Sequence, residues 1–247
     1  MPSWRVLAIA FGALLAVAGG YLAARQSALF AVQTVEITGA PPAVAASVHD
    51  ALRPLEGDSL LRINLDAAGS RLAAIPSVRR ASFDRAFPHT LRVSVVAERP
   101  VAVMRRGPEA WLVSARGRVI RRLHEPRRSS LPRVWVPATV TGAAGDTLTD
   151  GPTLRAVRAL AAASTGTTLP ARVRFAHSDE GELALVLAAG TKLELANEQD
   201  LALKLAAARQ VLLALDPNEE GWPAYVDLTV PGRPVVGPAS AQLESEG

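Results

Sequence analysis

Residues 78–100 read VRRASFDRAFPHTLRVSVVAERP. In the second half Leu91, Val93, Val95 and Ala97 are apolar at every other position, with Arg92 and Ser94 between them, the period-2 signature of a half-buried strand. Pro88-His89-Thr90 supplies a turn just before it, so Val78–Phe87 and Leu91–Ala97 are predicted to form a β-hairpin. A sheet with one apolar face must bury that face against another layer, so the covering elements have to be found nearby.

They lie upstream. Residues 30–38, FAVQTVEIT, alternate as a strand and stop at Gly39, and Pro41-Pro42 mark a helix start. Val44, Val48, Ala51, Leu52 and Leu55 then fall on one face of a 3.6-residue period. A second helix is signalled by Asn64 or Asp66 as N-cap, with Leu65, Ala68, Leu72 and Ile75 facing inward and Pro76 closing it. The order strand, helix, helix, strand, strand predicts a three-stranded sheet with two helices on one face, a small α+β module over residues 30–99.

Beyond Pro100 the texture changes to short β-like segments: Ala102–Arg105, Ala110–Ser114, Arg118–Leu123, Leu131–Pro137, Arg172–His177, Leu183–Ala188 and Lys192–Ala196. Two helices interrupt them, one beginning at Asp150-Gly151-Pro152 and one at Asn197-Glu198. This predicts a larger β-rich domain over residues 100–237, followed by a small, polar, disordered tail over 238–247. Its last segment is YVDLTVPGRPVV, residues 225–236. Tyr225, Asp227 and Thr229 alternate with Val226, Leu228 and Val230, which predicts an apolar inner face and a polar outer one. Pro231, Gly232 and Pro234 follow, and a proline cannot donate to a ladder, so the segment reads as an edge strand open to a partner.

At the other end, residues 6–24, VLAIAFGALLAVAGGYLAA, carry no charge and lie between Arg5 and Arg25. At about 1.5 Å per residue they cover about 28 Å, against a hydrocarbon core of about 30 Å. The expectation is a transmembrane helix over 6–25, a five-residue cytoplasmic tail (1–5), and all later residues outside the cytoplasm. The rival is a signal peptide cleaved after Ala16-Val17-Ala18.

The chain has 247 residues, 49% of them hydrophobic, and a net charge of +4, enough for one large core or two small ones. It lacks cysteine, which excludes disulfides, Cys-based zinc sites and Cys nucleophiles. Residues 79–133 hold 14 arginines against four acids, a net of +10, which leaves the rest of the chain at −6. No zinc-finger spacing or aromatic stacking pattern accompanies them, so nucleic acid is not an expected partner. Anionic lipid or wall polymer and plain solvated strand faces both account for the charge.

Candidate chemistry is sparse. His49, His89, His124 and His177 stand alone, without the spacing of metal ligands. No nucleophile-elbow, Walker or dinucleotide-binding pattern occurs. The acidic residues Asp179, Glu180 and Glu182 lie in a turn, whereas glycosidase carboxylates flank a cleft. We therefore expect a non-enzymatic protein with no cofactor, no metal and no small-molecule substrate.

VQTVEITGA (32–40), GDSLLRINL (57–65), IPSVRRASFDRAFPHTLRVSVVAERPVAVM (75–104) and YVDLTVPGRPVV (225–236) together resemble the FtsQ/DivIB family of bacterial cell-division proteins. The resemblance implies one membrane span, a polypeptide-transport-associated (POTRA) module, and a β domain ending in an edge strand. It also implies a single-pass scaffold of the inner (cytoplasmic) membrane at the division septum. With FtsB/DivIC-like and FtsL-like partners, such a scaffold helps recruit and regulate septal peptidoglycan synthesis in the divisome. The partner strand would add to the last strand by β-augmentation, at Tyr225, Val226, Asp227, Leu228, Thr229, Val230, Gly232 and Arg233. The tail MPSWR is shorter than is usual in the family. A secreted or periplasmic wall-associated protein, or a POTRA-containing transport or assembly factor, are the alternatives.

Overall fold

The computed structural model describes Trp4, residues 9–17, Gly19, and residues 28–125, 129–140, 142–165, 169–179, 181–215 and 221–238. The expected cytoplasmic tail and span therefore lie mostly outside the described residues. Residues 9–17 are helical, and among the described residues no helix is long and apolar enough to cross a membrane. Residues 239–247 of the expected tail also lie outside. The chain divides into two compact units, Met1–Ala97 and Glu98–Gly247.

In the first unit β1 (Thr34–Thr38) runs parallel to β3 (Thr90–Ala97), which pairs antiparallel with β2 (Val78–Ala86), giving the order β1-β3-β2. The predicted hairpin is β2–β3. Two helices cover one face, α1 (Pro42–Leu52) and α2 (Leu65–Ala73). Pro42 opens α1 in its first turn, where a missing N–H leaves no helical bond unmade. Asn64 rather than Asp66 caps α2: its Oδ1 accepts from the Ala67 N–H at 3.0 Å. Asp66 sits in the first turn, where its charge suits the helix dipole. Val48, Leu52 and Leu72 from the helices meet Leu91, Val93 and Val95 of β3, all at most 2% exposed.

The second unit is a nine-stranded sheet of order β12-β11-β10-β9-β8-β7-β4-β5-β6. The strands are β4 (Pro100–Arg106), β5 (Glu109–Ser114), β6 (Val119–Arg122), β7 (Arg133–Trp135), β8 (Val173–Asp179), β9 (Glu182–Leu187), β10 (Lys192–Glu194), β11 (Tyr225–Asp227) and β12 (Val235–Val236). Neighbours are antiparallel except β4–β7, β7–β8 and β10–β11. One face packs on α3 (Gly151–Thr165) and α4 (Leu201–Ala214), where Met104, Trp111, Leu185, Leu193, Val226 and Leu228 meet Leu160, Leu205 and Leu212. At the β4–β6 end a smaller apolar cluster, Val103, Ala110, Leu112 and Ile120, takes cover from Leu123 and Leu131.

Helix α4 begins at Leu201, not at Asn197-Glu198 as the sequence predicts. Ala196 (φ 59°) and Asp200 (φ 53°) take left-handed conformations, which break the chain out of the helical path until Leu201. Lys204, 2% exposed, ties this turn down by donating its Nζ to the Leu195 carbonyl at 2.6 Å and to Asn197 Oδ1 at 3.0 Å. Burial holds the Lys204 ammonium below its ordinary value of 10.5, against the smaller opposing pull of Asp200. Between the folded value and 10.5 the unfolded chain therefore binds the extra proton, so this group makes stability rise with pH in that window. Lys204→Met should flatten that rise and, by leaving two acceptors unpaired, lower stability at neutral pH by about 1–3 kcal/mol. Urea unfolding across a series of alkaline pH values checks both.

Candidate partner-binding edge

The last described segment builds one end of the large sheet. Val226 and Leu228 are fully buried against the helices, as expected. Leu228 donates its N–H to the Glu194 carbonyl at 2.8 Å, and Lys192 donates its N–H to the Ala224 carbonyl at 2.9 Å, so β11 is knitted to β10. At Asp227 the strand stops. The Asp227 Oδ1 accepts the Thr229 N–H at 2.8 Å, an Asx turn that draws the chain out of the ladder. Those contacts with Thr229 also hold the Asp227 carboxyl below its ordinary range.

The chain then folds back through Pro231-Gly232, with the Arg233 N–H donating to the Val230 carbonyl at 3.0 Å, and returns as β12. Val226 lies opposite Val236, and Asp227 opposite Val235. This corrects the expectation of a single edge strand over 225–230. Tyr225–Asp227 is an inner strand bonded on both sides, Thr229, Val230, Gly232 and Arg233 belong to the returning turn, and the edge is Val235–Val236. Val230, expected in the core, is 56% exposed, because the Asx turn breaks the alternation before reaching it.

Tyr225, Val230, Val235 and Val236 leave 36–56% of their surface open within one short hairpin. The Tyr225 ring packs closely on Gly237, where an added Cβ would sit 2.3 Å from a ring carbon. The Gly237 N–H donates to the Tyr225 carbonyl at 2.9 Å, so by alternation Val235 faces β11, while the N–H and C=O of Val236 point away from the sheet. On the Tyr225 face the next strand offers Lys192, paired with Glu182 at 2.7 Å and Glu194 at 3.0 Å, a charged border to the apolar hairpin. The Glu182 carboxyl is held below its usual value by Lys192.

Two family profiles match the chain in tandem: the POTRA domain of FtsQ type over residues 30–99, and the C-terminal region of cell division protein FtsQ/DivIB over residues 102–229, half of the chain. The chain belongs to the FtsQ/DivIB family. Among its relatives, a cell division protein FtsQ of Streptomyces venezuelae is 31% identical over 118 residues, 47% of this chain and 44% of that protein. An FtsQ of Agrobacterium fabrum is 28% identical over 132 residues, 53% of this chain and 42% of the relative. One of Corynebacterium glutamicum is 27% identical over 89 residues, 36% and 40% of the two chains. This FtsQ/DivIB family member thus covers less than half the length of these curated relatives.

Among the described residues the other sequence candidates do not assemble into a centre, and Glu180 lies outside those residues. His49 lies 3.8 Å from Glu56 beyond α1, and His89 sits in the β2–β3 turn. Among the described residues no three His, Asp or Glu side chains converge as metal ligands. Asp179 faces Glu182 across the β8–β9 turn. In the arginine-rich stretch Glu98 pairs with Arg116, and Glu109 with both Arg106 and Arg122. The residues missed by sequence reasoning are Val235, Val236 and Gly237. A Pro-Gly turn followed by two β-branched residues was their signal, the local mark of a hairpin.

Proposed function

We propose that this chain is a non-enzymatic, membrane-anchored division scaffold that captures a strand of an FtsB/DivIC-like partner along β12. With an FtsL-like protein it helps recruit and regulate septal peptidoglycan synthesis. One observation carries the reading: the sheet ends in a two-residue strand with exposed valines and, among the described residues, no outer neighbour. A covered or charged edge is the ordinary way to blunt such a hazard, and an apolar edge offers main-chain groups for affinity and side-chain slots for specificity. The anchor reading rests on the uncharged run 6–24, which supports a single-pass, type II arrangement with both units outside the cytoplasm; the septal location rests on the family's division role. No cofactor, nucleic acid or small molecule is required.

Tyr225 is the aromatic anchor of this surface, and Tyr225→Ala is expected to weaken partner capture by about 2 kcal/mol, roughly thirtyfold, with little change in folding. Gly237→Val should act in the same direction by a different route, because a side chain there displaces the Tyr225 ring. Titration of the detergent-solubilised chain with an FtsB/DivIC-like ectodomain measures both. Unchanged affinity in the pair of variants would remove the hairpin from the interface. Failure of the parent chain to bind any division protein would shift the reading to the wall-associated or transport alternatives.

A further inference from the structure

The first unit exposes an apolar cluster that its own core does not use. Leu29 is 72% exposed and Phe87 53% exposed, and the rings of Phe30 and Phe87 meet edge to face with centroids 5.8 Å apart at 86°. The cluster is rigidly placed. Leu60 donates its N–H to the Phe30 carbonyl at 2.7 Å, Ala31 bridges to Ser59, and the N–H groups of Gln33 and Thr34 both reach the His89 carbonyl, at 2.9 and 3.3 Å. The turn at residues 28–30 is thereby locked to the tip of the β2–β3 hairpin. Arg62 and Arg85 are both exposed in the adjoining chain, the Arg85 guanidinium donating to the Ile63 carbonyl at 3.2 Å; Glu56 and Asp58 are acids of the same loop, which is bonded to Val32.

We propose that the pole formed by Leu29, Phe30 and Phe87 seats in the boundary between headgroups and acyl chains of the bilayer that anchors the chain, with Arg62 and Arg85 toward anionic lipid. This rests on the membrane-anchor reading above. The occupant follows from chain length. Leu29 is only five Cα steps from Ala24, the end of the uncharged run, with Arg25, Gln26, Ser27 and Ala28 between them. Fully extended they reach at most about 18 Å. A unit of this size has a radius of gyration of about 11 Å, so such a leash holds this pole near the lipid surface and keeps the opposite pole away from it. Aromatic and aliphatic side chains with cationic neighbours are what an interfacial site takes.

Because the chain has no cysteine, single-cysteine labelling reports the contact directly. Full-length Leu29→Cys, Phe87→Cys and Val96→Cys would carry a bimane fluorophore in phosphatidylethanolamine–phosphatidylglycerol vesicles containing a shallow doxyl-lipid quencher. Val96, 50% exposed, is the control. It lies six residues along β3 from Thr90, about 20 Å from the tip. The expected result is quenching of the Leu29 and Phe87 probes at least about twofold beyond that at Val96. Adding Phe87→Glu at this exposed turn should restore the Leu29 probe's emission while the unit still unfolds cooperatively, with no more than the small drop in midpoint expected from losing the Phe30 ring contact. Phe87 quenching no greater than Val96 in protein that floats with vesicles overturns the docking alone. A probe shielded equally in detergent, without lipid quenching, assigns the cluster to a protein contact and overturns it too. A chain that does not float overturns the anchor and this inference together.

Discussion

Val236→Pro is expected to abolish capture of a strand-donating partner while leaving the thermal unfolding of the second unit unchanged. The Gly237 N–H is bonded inward to Tyr225, so Val236 presents its own N–H and C=O outward from β12. Proline there removes the outward donor and sets its ring where a neighbouring strand, about 4.8 Å away, has to lie. Losing the hydrogen bond alone is worth up to about 1.5 kcal/mol, roughly tenfold in affinity, and the ring adds exclusion to that. Pro234, of the same parity, already lacks an N–H, which leaves Val236 as the outward donor of β12. Leu228→Pro makes the contrast. Its N–H donates to Glu194 and its side chain is fully buried, so that variant should lower the unfolding midpoint itself. Proline at Asp227 should do likewise, since β11 is paired on both sides. Partner capture and unfolding measured on the same samples separate these outcomes. Undiminished binding by Val236→Pro would show that no strand adds to this edge.

Gly39→Ala should be among the most destabilising single substitutions in the first unit. Gly39 follows β1 with φ +78°, and a Cβ there would lie 2.6 Å from the Val95 carbonyl oxygen on β3. The neighbour is backbone in the centre of a three-stranded sheet, so it cannot turn aside as a side-chain tip would. The left-handed conformation costs a non-glycine residue about 1–3 kcal/mol. The overlap adds about 1–3 kcal/mol more, for a loss of at least about 2 kcal/mol by chemical denaturation. Gly57, with φ +87° but open space around the missing Cβ, separates the two effects. Gly57→Ala should show the conformational cost alone. Equal losses at both positions would mean that the close approach of β1 to β3 contributes nothing.

The first unit was legible in the sequence because its signals are local. Alternation from Leu91 to Ala97, the Pro88-His89-Thr90 turn, the stripe of Val48 and Leu52, and the cap at Asn64 each act within a few residues, and together they specify the hairpin, the two helices and the faces they bury. In the second unit, sequence spacing likewise predicted that Val226 and Leu228 face inward. What spacing does not carry is who the neighbour is. The strands on either side of β7 are β4 and β8, and β11 pairs with β10, pairings that close long loops and depend on the whole sheet. Alternation ran on through Val230, but the Asp227 side chain captured the Thr229 N–H and turned the strand back, making Val235–Val236 the edge. The burial of Lys204 in the first turn of α4 was equally invisible, since its acceptors are the Leu195 carbonyl and Asn197 of a turn that only the packed domain holds in place. Side-chain period settles which face of an element is buried; the choice of hydrogen-bonding neighbour is a long-range competition, and tertiary structure alone decided it.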